Sequence, residues 1–470
     1  MKFYLVLFFA ILSSSVSSIG RAEDIMAAKN EVRDKIRAAA GFTILSDSPE
    51  KLENLIDTNE LSFINGTLIR KLSDIDSRNF QKGRVQEDVW SGSIWHQYRG
   101  LTSLRYMVPE AANAPSWQAA FQFISEPGQT FFDVATQGTD EDRDILGPAE
   151  KYDLLIGRAA DHKGGILSKY EWDQGADSLK RYGKVAKWYG YCHGWAAASF
   201  SVPRPTSTVE VPSADGTRTI RFYPHDLKAL ATVLWANALP QVRLVGARCL
   251  SEKPQRDKDG RILDPNCLGV SPGIFHLALV NQLQGAHRVL LMDADYDIQV
   301  WNQPIIAYSY RYFNPENPRK VSPKFESSVI AVDAFATDKY KKYRSPDARK
   351  IVGVEMKIEY GQGTKPNHNP IDGPQYDQSR HATYKYDLEL NAAGEVIGGE
   401  WYQIRHPGFL WVVPIDSLAA SDFESEAEGA WNPSRSVPAL WSQAAEKSAN
   451  KGQPLAKIVK KLIELSRQSP

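Results

Sequence analysis

Residues 188–199 read WYGYCHGWAAAS. A cysteine stands between two glycines, where an aromatic segment gives way to a run of small residues. Ala196–Ala198 favour helix, and with Gly194 they leave a face that a neighbouring helix can approach closely. A cysteine at the start of such a helix feels the positive end of the helix dipole, which favours thiolate over thiol; with a histidine nearby its pKa falls from about 8.5 to between about 3.5 and 7.5. The alternative is a buried cysteine that packs and does nothing else. Which reading holds depends on the rest of the chain.

Composition excludes several partners. Lys plus Arg and Asp plus Glu both number 56, so the formal charge is zero. No long-range field draws the protein to nucleic acid or anionic lipid. Twelve Trp and twenty Tyr are rings of the kind that fill cores or line grooves for extended peptide or carbohydrate. A chain of 470 residues, 42% hydrophobic and 24% charged, has room for two or three domains or one elaborated domain. Lys2 and the apolar run Phe3–Leu12, followed by small residues, read as a secretory signal peptide cut after Ser18 or Ala22. The run is too short to span a bilayer, no second run of about 18 apolar residues follows, and no cysteine near the cut indicates a lipid anchor. The mature chain is expected to be secreted or periplasmic, with no transmembrane segment.

Three cysteines are present, Cys192, Cys249 and Cys267. The segment between the last two is polar and rich in turn formers (Pro254, Asp259-Gly260, Asp264-Pro265), as a surface excursion closed at its base by a disulfide would be. A closed loop of that size contributes roughly 3 kcal/mol in the chain-entropy model. Asp257, Asp259 and Asp264 in the same loop leave calcium as an option, although the EF-hand spacing fails and no glutamate closes it. The expected Cys249–Cys267 pairing leaves Cys192 as the single free thiol.

A nucleophilic cysteine needs a base, and the base needs an orienter. Of nine histidines, His276 has the best setting: SPGIFHLALV reads as a short apolar strand after a Pro-Gly turn. A tight connection leads to a second strand, RVLLMD, ending at Asp293. Two antiparallel strands so joined would bring His276 and Asp293 within hydrogen-bond reach. His193 adjoins Cys192, but helix neighbours point about 100° apart, so it reads as a cap or a residue behind the site. No His or Cys pair shows the ligand spacing of a closed zinc site, so no metal is expected there.

The segments VWSGSIWHQYRGLTSLRY (89–106), WYGYCHGWAAAS, PGIFHLALVN, VWNQP (300–304) and GGEWYQIRHPGFLWV (398–412) together resemble the landmarks of the transglutaminase elicitor family, secreted proteins with a papain-like core. The resemblance spans roughly residues 84–415, with VWNQP in the surface segment that gives the family its elicitor name. It implies Cys192 as nucleophile, His276 as general base and Asp293 as orienter. Where relatives commonly read Asp-x-Thr, this chain reads Asp293-Ala294-Asp295, so Asp295 competes with Asp293 for the third place.

The implied reaction is acyl transfer: the thiolate attacks a glutamine side-chain amide, ammonia leaves, and a lysine or other primary amine takes the acyl group. The partners are protein or peptide substrates bearing glutamine and lysine, and no cofactor is required for the chemistry. The Cys192 N–H and the Trp188 indole are candidate oxyanion donors. Trp195, Trp301 and Trp401 are candidates for a water-excluding substrate groove, with core packing the alternative for each. A cysteine peptidase or peptidoglycan amidase using the same triad, or a non-catalytic surface-recognition protein, are the competing readings.

The expected fold class is α+β: a catalytic domain over residues 81–415, with the cysteine at a helix N-terminus and His276 and Asp293 on an antiparallel sheet. Residues 23–80 read as a helical segment, either a pro-region or a subdomain, with amphipathic stretches at 26–41 and 48–57. VGVEMKIEY, HATYKYDLEL and EVIGGEWY alternate as strands around the long loop KPNHNPIDGPQY. Residues 416–470 read as a polar tail ending in a basic amphipathic helix, solvated rather than membrane-bound.

Overall fold

The structure is a computed structural model. It describes residues 43–45 and 68–468, apart from 159–164, 239–241, 247, 250, 252, 265–266, 295–297, 404 and 414–416. The expected signal peptide, the two amphipathic stretches at 26–41 and 48–57, and Asp295 lie outside the described residues.

The described strands are β1 Thr43–Leu45, β2 Lys82–Arg84, β3 Val209–Pro212, β4 Thr219–Phe222, β5 Arg243–Gly246, β6 Leu291–Asp293, β7 Asn302–Phe313, β8 Val321–Ser322, β9 Val329–Ala331, β10 Lys350–Gly361, β11 Ser379–Leu390, β12 Val396–Gly398 and β13 Phe409–Val412. The main sheet runs β1-β5-β13-β6-β7-β10-β11-β12, with β2 and β8 also paired to β7 and β9 to β10. Apart from the parallel β1–β5 pair, its ladders are antiparallel. β3 and β4 form a separate hairpin.

Two apolar cores flank this sheet. One takes Leu291 and Trp411 from it together with the helices of the first half of the chain. The other takes the residues between, Met292 and Leu410, with Tyr308, Tyr310, Tyr312, Val352, Val354, Met356, Tyr384 and Tyr386. Successive strand side chains point to opposite faces. Every residue of β6 and β13 is buried, as expected of strands covered on both faces. β10 and β11 turn alternate residues to the second core, which is the period-2 pattern legible in VGVEMKIEY and HATYKYDLEL.

The helices that position the site are α1 Leu167–Tyr182, α2 Cys192–Ser201, α3 Pro224–Asn237, α4 Pro272–Ala278, α5 Ala439–Ala449 and α6 Ala456–Gln468. α2 begins at Cys192, as its small residues predicted, and packs closely on α3. A Cβ on Gly194 would stand 2.3 Å from the Thr232 carbonyl oxygen. Gly194→Ala must therefore push α2 away from α3. It is expected to destabilise the protein by about 1–3 kcal/mol, read as a lower midpoint in denaturant with an unchanged slope.

Three expectations are corrected. SPGIFHLALV is not a strand: Ser271 accepts from the Ile274 N–H at the helix start, Pro272 occupies the first turn, and α4 continues into a π-helical turn over Leu279–Gly285. All seven residues of α4 are buried, so its sequence shows no polar face by which to tell a helix from a buried strand. The segment read as helical before residue 80 contains strand β1, laid parallel to β5, as well as the short helix Leu72–Ser77. The C-terminal helices are not a solvated tail. Trp441, Ala444, Ala445, Leu455, Ile458, Val459, Leu462 and Ile463 are buried in the first core. The N–H groups of Ala456 and Lys457 at the start of α6 donate to the Glu424 carboxylate, an anion at the positive end of the helix. Among the described residues no helix is long and apolar enough to cross a membrane.

Candidate active site

Two sequence landmarks meet at the start of α2. The Tyr191 N–H donates to the Ile94 carbonyl at 2.7 Å and the Gln97 N–H to the Tyr189 carbonyl at 2.8 Å, with His96 and Gly190 opposite each other. Gly190 is required there: a Cβ would stand 2.6 Å from the Ile94 oxygen and 2.7 Å from that of Trp95. Trp95 itself holds a left-handed φ of 46°, a strained conformation for a bulky residue. The segment from Ile94 to Gln97 thus clamps the backbone that delivers Cys192 to the helix.

Cys192 is the free cysteine and is 7% exposed. Across from it lies the β6–β7 pair, in which Asp293 stands opposite Asn302. The Asn302 Nδ2 donates to the Cys192 Sγ at 3.5 Å, and the thiol faces the Val300 carbonyl at 3.7 Å. The Asn302 Oδ1 accepts from the Trp411 indole at 2.9 Å. Asp293, 1% exposed, accepts the Trp301 backbone N–H on Oδ1 at 2.9 Å.

Burial pushes the Cys192 thiol above its ordinary 9.0 and the negative charge of Asp293 adds to the rise, while N–H donation from Asn302 and the His193 backbone works against it. The resting group is a thiol.

His276 does not join this cluster. Its ring packs against Tyr310 and Tyr386 in the second core, on the opposite face of the sheet from α2. Nδ1 bonds the Tyr386 hydroxyl at 2.9 Å, and Nε2 is buried with no hydrogen-bond partner among the described residues. Burial pushes its pKa down to about 3. The expectation that His276 and Asp293 meet beside the cysteine is therefore corrected: α4 is a helix on the far side, and of the two only Asp293 faces Cys192.

The aromatic candidates separate likewise. Trp301 is half-buried at the site, its indole donating to Gln299. Trp195 is fully buried, with its indole on the Trp90 carbonyl, so it is core and not groove. Trp401 lies with the second core, stacked on His406 and donating to the Val270 carbonyl. There it lines a cavity of about 590 Å³ with Arg261, Tyr343, Arg344 and Glu400, remote from Cys192. Trp188 is half-buried beneath the Arg248 guanidinium, and His193 Nε2 meets the Ala236 carbonyl of α3. Asn302 and Trp411 are the site residues that sequence reasoning missed. Both lie inside the landmark segments, and their polar atoms pair because β6, β7 and β13 are adjacent in the sheet.

The disulfide Cys249–Cys267 is formed. In its loop, Asp257 accepts the N–H groups of Asp259 and Arg261 on Oδ1 and the Tyr343 hydroxyl on Oδ2. That carboxylate serves as a turn cap. Among the described residues no group of three or more His, Cys, Asp or Glu side chains is placed to hold a metal.

A family model described as transglutaminase elicitor matches residues 58–421. Among solved structures, the fold is similar to that of the GP42 transglutaminase from Phytophthora sojae, with a TM-score of 0.51 and 20% identity over 84% of this chain and 98% of that one. At that identity the likeness speaks for the fold. No curated protein sequence matches the chain.

Proposed function

We propose, from the premise that the chain belongs to the transglutaminase elicitor family, that it is an exported acyltransferase acting on protein glutamine through Cys192. The observation that carries this reading is the buried thiol at the first residue of α2, faced by the Asn302 amide and the Asp293 charge.

With His276 across the sheet, Asp293 is the acid–base group of this reading. Its carboxylate takes the thiol proton as sulfur attacks the glutamine Cδ; the C–S bond forms and the carbonyl π pair moves to oxygen. Collapse of that intermediate breaks the C–N bond, and the proton returns to nitrogen as ammonia leaves. A lysine amine then attacks the thioester, displaces the sulfur and gives up its proton, so that an isopeptide replaces the amide. The thiol becomes nucleophilic only when its proton has somewhere to go, which couples activation to a bound acyl donor. Export agrees with the Cys249–Cys267 disulfide, since such bonds persist in oxidising compartments.

The reading is tested with purified protein, a glutamine-bearing protein and a labelled primary amine. It predicts amine incorporation matched by ammonia release, both abolished by prior alkylation with iodoacetamide. Thiol-dependent chain cleavage without incorporation would replace it with a peptidase, and no thiol-dependent activity would leave a recognition protein.

A further inference from the structure

Asn302 is held as an oriented amide. Its Oδ1 accepts from the Trp411 indole at 2.9 Å, and an indole N–H can only donate. Oxygen must therefore face Trp411, and the NH2 group must face Cys192, where Nδ2 stands 3.5 Å from Sγ. The usual ambiguity between amide oxygen and nitrogen is removed by the chemistry of its neighbour. The backbone fixes both residues: Asn302 pairs with Asp293 on β6, and Trp411 on β13 pairs with Leu291 of the same strand. Asn302 is 6% exposed and Trp411 4%, so solvent does little to loosen the arrangement.

Sulfur is a weak acceptor, and a buried, oriented N–H aimed at a neutral thiol gains little in the resting protein. The group that would gain most forms only during reaction. When Sγ attacks a carbonyl, the new oxyanion sits on the carbon bonded to that sulfur. Effective donors stand about 2.7–3.1 Å from where it develops.

We infer that the Asn302 Nδ2–H is an oxyanion donor of Cys192 acyl transfer and that Trp411 is its positioning residue. The inference rests on the acyl-transfer reading above. The His193 backbone N–H, which also reaches the Cys192 sulfur, is the natural second donor at the helix start, where N–H groups have no intrahelical acceptor.

Asn302→Asp tests the assignment, because it keeps an acceptor for Trp411 and replaces the N–H with an oxygen. Relative to wild type, kcat for amine incorporation should fall about 10²–10³-fold with KM changed less than about threefold. A peptide aldehyde carrying the glutamine side-chain length forms a tetrahedral hemithioacetal with Cys192, and its affinity should fall in parallel. Alkylation by iodoacetamide at a pH where the thiolate is fully formed should stay within about threefold, because that reaction develops no oxyanion. Trp411→Phe should show the same pattern at about a tenth of the size, and it stands in if the Asp variant does not fold.

A kcat within threefold of wild type in both variants overturns the inference. So does an equal loss of alkylation, which would mark Asn302 as merely structural. If wild-type protein incorporates no amine, the acyl-transfer reading fails instead. The aldehyde comparison then still decides Asn302: equal affinity in wild type and variant removes its role.

Discussion

Asp293→Asn is expected to lower amine incorporation by about 10²–10⁴-fold while making Cys192 react faster with iodoacetamide at neutral pH. The two effects have one cause. The carboxylate accepts the thiol proton during reaction, so its loss removes acid–base help. At rest the same negative charge adds to burial in holding the thiol above 9.0, so its loss releases thiolate. In wild-type protein alkylation should climb with pH through 9 and beyond, since thiolate appears only as pH rises past a raised pKa. In the variant that climb should come at lower pH. A variant that is fully active, or one alkylated more slowly at pH 7, would contradict the pairing of Asp293 with Cys192.

Cys192→Ala should abolish amine incorporation, by about 10⁴-fold or more, because the acyl group is carried on the sulfur it removes. The fold should survive. The side chain is already nearly as small as alanine, and α2 is held by Gly194 against α3 and by the Tyr191–Ile94 hydrogen bond. The Cys249–Cys267 bridge is independent of it. A melting temperature close to wild type with no incorporation separates loss of chemistry from loss of structure; incorporation that persists would mean another nucleophile.

The helix beginning at Cys192, the disulfide, and strands β10 and β11 could be read from sequence because each leaves a local signature. Small residues flank the cysteine, turn formers fill the closed loop, and apolar residues alternate along the strands. His276 could not be placed in this way. A seven-residue helix buried on every side has no polar stripe, and the Pro272-Gly273 pair reads as a turn, although Ser271-Pro272 is also a helix start. The buried helical C-terminus is hidden in the sequence for a related reason. Its basic residues suggested solvent, yet Ile458, Val459, Leu462 and Ile463 form a face that only the fold shows to be covered.

Three of the landmark segments meet around the start of α2. VWSGSIWH clamps the approach to the cysteine, VWNQP supplies Asn302, and the FLWV end of the last landmark supplies Trp411. PGIFHLALVN packs on the other face, as does Trp401 of the last landmark, and there a histidine held near pKa 3 lies against Tyr310 and Tyr386. Sequence could name the pieces but not the face of the sheet each would occupy, because that parity depends on strand register and on whether α4 is a helix.

The most direct test of the account is the intact mass of the protein after brief incubation with a glutamine peptide in the absence of any amine, followed by acid quench and mapping of the modified residue. The account predicts an adduct equal to the peptide less ammonia, located on Cys192, discharged when a primary amine is added and absent from Cys192→Ala. An adduct on another residue, or steady amine incorporation with no thioester at Cys192 under any quench, would contradict it.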